Sequence, residues 1–137
     1  MYSTSGTVAS ADTTIIAFTT PNTTEYAYFS AKGHGSLLTT WKIFEGATIA
    51  AGTAATAYNE DRNSTSATSM VLKTCTHAQV TTFGTVIHLW GDGSATTESH
   101  WNAIDRIILK KNTTYIIAGI SGANSNVISI NLDWFEN

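Results

Sequence analysis

Ten carboxylates, four histidines and one cysteine are the groups in this 137-residue chain that could do acid–base, metal or nucleophilic chemistry, and their spacing limits what they can do. His34, His77, His88 and His100 form no local ligand pair of the H-x-x-x-H kind, in which one helix turn puts two imidazoles on one ion. His88, between Ile87 and Leu89, reads as a strand histidine with its hydrogen bonds satisfied. Asp92-Gly93-Ser94 with Glu98 shares residue types with a calcium loop, but the alternating Asp/Asn ligands are missing and an ordinary Asp-Gly turn accounts for it. Glu60-Asp61 are neighbours on a polar loop, with no pocket to drive two carboxyl groups to different pKa values. None of the motifs G-x-S-x-G, H-E-x-x-H, the P-loop or G-x-G-x-x-G occurs. The expectation is a non-enzyme with no catalytic residues, no metal ligands and no cofactor.

One segment is chemically dense. Residues 58–64 read Tyr58-Asn59-Glu60-Asp61-Arg62-Asn63-Ser64, with Arg62 one of only two arginines. Two readings stand: a surface loop whose Arg62 pairs locally, or a loop whose guanidinium and amides reach a neighbouring subunit or fix a long crossover between sheets. Both make it structural.

The elements that position these groups are strands. Along residues 127–136, Ile128, Ile130, Leu132 and Trp134 alternate with Ser129, Asn131 and Asp133, the period-2 pattern of a half-buried antiparallel strand. Further strands are expected at 13–20, 25–32, 37–44, 70–75, 85–90, 106–110 and 113–120, with a short edge strand at 47–50 and a small, flat stretch at 52–57. Pro21-Asn22 closes the first and Gly33-His34-Gly35 is expected to break the second. Short strands at roughly 8–12-residue spacing with Gly/Asn turns imply an all-β fold, an antiparallel β-sandwich, jelly-roll-like, of about nine strands. In residues 99–110 Trp101, Ile104, Ile107 and Ile108 would share a helix face after a Ser99 cap, so a helical turn before the Arg106 strand is expected. The expected core is Ile15, Phe18, Tyr28, Leu38, Ile43, Val71, Ile87, Leu89, Ile107, Ile116, Ile130, Leu132 and Trp134. Residues 1–12 form an N-terminal arm that orders on assembly, and 13–137 a single domain.

Composition narrows the partners. Charged residues are 12% of the chain, about half the usual globular share, while hydrophobic residues are an ordinary 42%. Thr and Ser, roughly a quarter of the chain, cover the outer faces instead, and Thr is at home in strands. A net charge of −3, with Lys110-Lys111 the sole adjacent basic pair, argues against nucleic-acid binding by phosphate neutralisation. No apolar run approaches the ~20 residues of a membrane-spanning helix, and the first residues lack the basic and apolar regions of a secretory signal. Asn-x-Ser/Thr triplets at Asn22, Asn63 and Asn112 are expected by chance in so Asn- and Thr-rich a chain. Cys75, alone, forms no internal disulfide and reads as a small buried hydrophobe.

The Tyr-Asn-x-x-Arg-Asn-Ser loop (Tyr58, Asn59, Arg62, Asn63, Ser64), the Leu-Lys-x-Asn-Thr-x-Tyr strand (Leu109, Lys110, Asn112, Thr113, Tyr115) and the closing Trp134-Phe135-Glu136 together resemble small tailed-phage head decoration or cement proteins and related capsid-fibre proteins. Glu60-Asp61 make this loop more acidic than its counterpart in that family. The resemblance implies a jelly-roll-like sandwich, made in the host cytoplasm and located on the virion capsid surface. Its implied partners are the major capsid protein and itself, as a homotrimer, with no nucleic acid and no membrane. A charge-poor, hydroxyl-rich surface suits wide hydrogen-bonded contacts because it costs little to desolvate. The interface candidates are Tyr2, Trp41, Tyr58, Asn59, Arg62, Asn63, Trp101 and Phe135. The alternative is a carbohydrate- or receptor-binding module on a phage tail or fibre, with His100-Trp101-Asn102 meeting a glycan. Deleting the chain from Ser129 onward removes an expected central strand; such a truncation should give no soluble folded protein, checked by expression and far-UV circular dichroism.

Overall fold

Alternation along β13 (Asn126–Glu136) sorts one strand onto two faces: Asn126, Ile128, Ile130 and Leu132 are buried, while Val127, Asn131 and Phe135 are exposed. The strand belongs to a computed structural model that describes residues 2–8, 12–22, 27–58, 63–65, 67–102 and 107–136, with backbone alone for 2–8. β13 is an interior strand, as expected, antiparallel to β1 (Tyr2–Val8) on one side and β3 (Ala27–Gly35) on the other. β3 also carries β10 (Ser99–Asn102) and β11 (Ile107–Ile108) on its far edge. The second sheet runs in the order β6 (Thr53–Ala55), β7 (Val71–Cys75), β2 (Thr13–Thr19), β12 (Thr114–Ser121), β4 (Thr39–Glu45), β9 (Thr85–Asp92). A two-stranded ribbon, β5 (Thr48–Ile49) with β8 (Val80–Thr82), completes an all-β antiparallel sandwich.

β2 and β12 are buried on both faces, which is why TTIIAFT and TYIIAGIS read as continuous apolar runs rather than alternating ones. On the inner face Ile16, Phe18, Tyr115 and Ile117 meet Phe29, Ile128, Ile130 and Leu132 of the first sheet. On the outer face Ile15, Ala17, Cys75, Ile116 and Ala118 form a second, smaller core, against which Ile49, Val80 and Phe83 pack from the ribbon and its flank. Cys75 is the small buried hydrophobe expected of it.

The densest point is Trp41 of β4, whose side chain is 0% exposed. Its indole stacks on Trp101 of β10 with centroids 5.5 Å apart and planes 10° off parallel, and its Nε1 donates to Ser99 Oγ at 3.1 Å. A Cβ at Gly33 would lie 2.6 Å from the indole carbons, and one at Gly119 2.8 Å away. Gly33 therefore sits within β3 as the bare backbone on which the ring lies, and the strand continues through Gly35 instead of breaking there.

Polar ties close the ends. The Asn126 amide accepts from Leu37 N at 3.0 Å and donates to Leu38 O at 3.0 Å and Thr39 Oγ1 at 2.9 Å, binding the turn before β4 to the start of β13. Tyr115 donates to Glu45 Oε2 at 2.9 Å and accepts from Lys110 N at 2.8 Å; burial pushes its phenol up to about 12. The Lys110 ammonium, 2.6 Å from Glu45 Oε1, holds that carboxyl below its ordinary value. At the C-terminal end Glu136 accepts from Ser69 N at 3.1 Å, Ser69 Oγ at 2.6 Å, Trp134 Nε1 at 3.0 Å and Thr68 Oγ1. Burial alone would raise the Glu136 carboxyl, but these donors outweigh it and hold it below its ordinary value.

Several expectations are corrected. Val71, Ile87 and Leu89 are exposed, not core. Ile87 and Leu89 lie on β9, a sheet edge, and Val71 lines an open groove beside the ribbon. Tyr28, Leu38, Ile107 and Trp134 are half-buried at the margins. Ser99–Asn102 is a strand, with Ser99 and Trp101 inward and His100 and Asn102 outward, because pairing with β3 outweighs the helical spacing; residues 103–106, where the helical turn was expected, lie outside the described residues. Within the expected N-terminal arm, Tyr2 to Val8 have strand backbone in register with Asn126–Leu132. β1, β8 and β10 were not expected as strands.

Two outcomes check this packing. Gly33→Ala, a change that lowers unfolded-state entropy and stabilises an open position, should instead destabilise by about 1–3 kcal/mol through overpacking, read from the urea midpoint at unchanged m-value. Because Glu136 has a folded-state pKa below its unfolded one, it contributes stability above about pH 4.3 that is lost as pH falls through the depressed folded value. The stability gap between wild type and Glu136→Gln should therefore be full at pH 7 and shrink on acidification; a pH-independent gap in urea melts would contradict this.

Candidate functional site

Beyond β9 the chain reverses in a compact turn. Gly93 has φ +86°, and a Cβ there would sit 2.9 Å from Thr97 O, so a side chain is excluded by both conformation and space. Ser94 N donates to Thr97 O at 3.1 Å and Ser94 Oγ to Thr97 Oγ1 at 2.9 Å. His100 N then donates to Asp92 Oδ2 at 3.2 Å; this and a second backbone donor, Gly93, hold the Asp92 carboxyl below its ordinary value. The turn thus delivers the chain into β10 with a fixed register, His100 opposite His34 and Trp101 opposite Gly33.

Inward packing of Ser99, Trp101, Gly33 and Gly35 leaves His34 and His100 on the outer face of the first sheet. Their rings are 5.0 Å apart between centroids, tilted by 54°. Glu98, the last residue of the turn, places Oε2 3.6 Å from His34 Nε2 and 3.5 Å from His100 Nε2. Two imidazoles and a carboxylate so converge with donor atoms all within 4.8 Å of one another, on a face open to solvent. Ser129 of β13 flanks His34 on the other side. No spacing rule finds this trio, because the register of two distant strands creates it; the outward parity of His34 and His100 becomes readable once β3 and β10 are known to pair. His88, by contrast, turns inward and accepts from Trp101 Nε1 at 3.0 Å, the satisfied strand histidine expected.

The other notable surface is β9. The register against β4 slips between Ile43 and Phe44, leaving Ile87 as the extra residue of a bulge, and Val86, Ile87, Leu89 and Trp90 are all exposed, Leu89 by 60%. At one end of the first sheet's outer face, register aligns Ile108, Tyr28 and Phe135 in one row; Phe135 is 61% exposed.

The interface candidates separate accordingly. Phe135 is a surface aromatic, and Tyr58 and Asn63 are exposed. Trp41 and Trp101, 0% and 2% exposed, are corrected to core: each indole N–H is satisfied internally and each ring face is covered. Asn59, Arg62 and the side chain of Tyr2 lie outside the described residues. Val86, Ile87, Leu89 and Trp90 were not among the candidates, and a strand of such residues betrays its exposure only when its place at the sheet edge is known.

Comparison of the chain with protein-family models, curated proteins and solved structures finds no match.

Proposed function

We propose that the protein is a non-catalytic structural module that assembles through its sheet edge: a virion protein that binds the outer surface of a phage capsid as a homotrimer and stabilises it. The observation that carries this is β9. An eight-residue edge strand with four exposed large apolar side chains is what monomeric proteins normally blunt with charge or proline, and such an unblunted apolar edge favours a protein–protein contact. On β4, Lys42 stands opposite Leu89 and Glu45 opposite Thr85, and within β9 itself His88 is the one ionisable residue before Asp92. The hydroxyl-rich, charge-poor surface and the triple-motif resemblance to decoration proteins support the capsid shell as the larger partner.

The glycan-binding alternative loses the aromatic on which it rested. Trp101 is buried beneath Trp41, so it presents no ring face to a sugar.

The test is the solution mass of the full chain by sedimentation equilibrium, with binding to capsids lacking decoration followed by co-sedimentation. Wild type should be trimeric and bind; Leu89→Lys and Trp90→Lys, surface changes that leave the core intact, should be folded, monomeric and at least tenfold weaker in capsid binding, about 1.4 kcal/mol. A wild type that is monomeric and does not bind, or lysine variants that behave like wild type, would overturn the proposal.

A further inference from the structure

We propose that His34, Glu98 and His100 form a surface site for a late first-row divalent cation, Zn²⁺ above all, and that the bound ion clamps the 93–98 turn and the edge strand β10 onto β3. This stands apart from the assembly reading and does not depend on it.

Zinc takes imidazole nitrogen and carboxylate oxygen at about 2.0–2.2 Å, and tetrahedral donors at that radius lie about 3.3–3.5 Å from one another. The two nitrogen–oxygen separations here, 3.6 and 3.5 Å, already have nearly that value. The donor atoms span 4.8 Å at most, a gap that small rotations of two solvent-facing imidazoles close. The backbones need not move. His34 and His100 are fixed opposite each other by the strand register, and the inward side of the same strands is anchored by Trp101 and Gly33. Glu98 is fixed by the turn, whose exit is held by the Asp92 carboxylate on the His100 amide. Such pre-organisation of the backbone lowers the entropy lost when an ion is bound.

The donor set also selects the ion. Two nitrogens and one oxygen suit zinc, nickel or copper, whereas calcium and magnesium want oxygen ligands. Three protein donors leave at least one coordination position open to water. Without an ion the same trio would be a solvent-exposed carboxylate beside two imidazoles, an arrangement worth little to stability. The two cases therefore differ in a measurable way: a chelate linking β3 to β10 and the turn stabilises the fold by mass action, and an exposed ion pair does not.

The experiment is isothermal titration of the full chain with ZnCl₂ at neutral pH, with MgCl₂ as the contrast, and thermal melts with and without zinc. Expected are one saturable zinc site per chain, no magnesium binding, and a zinc-dependent rise in Tm reversed by EDTA. Loss of outer-shell partners alone costs about 10–100-fold in affinity, so His34→Ala, His100→Ala and Glu98→Gln should each weaken zinc by tenfold or more and reduce the Tm rise at a fixed zinc concentration. His77→Ala and Cys75→Ser, elsewhere in the chain, should bind as wild type does. All three ligand side chains face solvent, so the variants fold, which unchanged circular dichroism verifies. Absence of saturable binding at millimolar zinc, or equal affinity in the three ligand variants, would overturn the proposal.

Discussion

The sandwich depends on one close approach, the Trp41 indole laid against the bare backbone of Gly33 and Gly119. A residue of β4 thereby touches β3 across the core and β12 beside it, and stacking on Trp101 extends the contact to β10. Interiors tolerate little extra volume, so both glycines and both tryptophans are mutually required. The hydrogen bonds from Trp41 to Ser99 and from Trp101 to His88 let two polar indoles be buried without an unsatisfied N–H. What lies outside follows from this: fixing Gly33 and Trp101 inward fixes their neighbours His34 and His100 outward.

The same geometry divides the surface. On the first sheet's outer face Ser30, Lys32, His34, Ser129 and Asn131 line β3 and β13, while Tyr28, Ile108 and Phe135 gather at one end and Val127 is exposed at the other. The second sheet spends its outer face on the small core under the ribbon and leaves apolar side chains at the β9 edge. A protein of few charges has little else to discourage edge pairing, which is the physical ground for reading β9 as an assembly surface.

Legibility in the sequence followed locality. The alternation of Ile128, Ile130 and Leu132 specified β13, and the apolar run from Tyr115 to Ala118 marked a strand, because each pattern is complete within one segment. Patterns whose meaning depends on a partner were lost. Ile87 and Leu89 have the composition of core, and they are exposed because, among the described residues, no strand lies beyond β9. Trp101, Ile104, Ile107 and Ile108 fit a helix face, yet the pairing of Ser99–Asn102 with β3 makes the first of these a strand residue. Gly33 looked like a breaker because its neighbour in space, Trp41, is invisible to local reading. The His34–Glu98–His100 cluster was missed for the same reason, since its histidines meet only through strand register.

The most direct measurement is the copy number of this protein in purified virions from its source, by quantitative mass spectrometry against the major capsid protein. A capsid decoration role predicts near parity, or a ratio set by the number of local three-fold axes. Absence from the particle, or a handful of copies per virion, would contradict it.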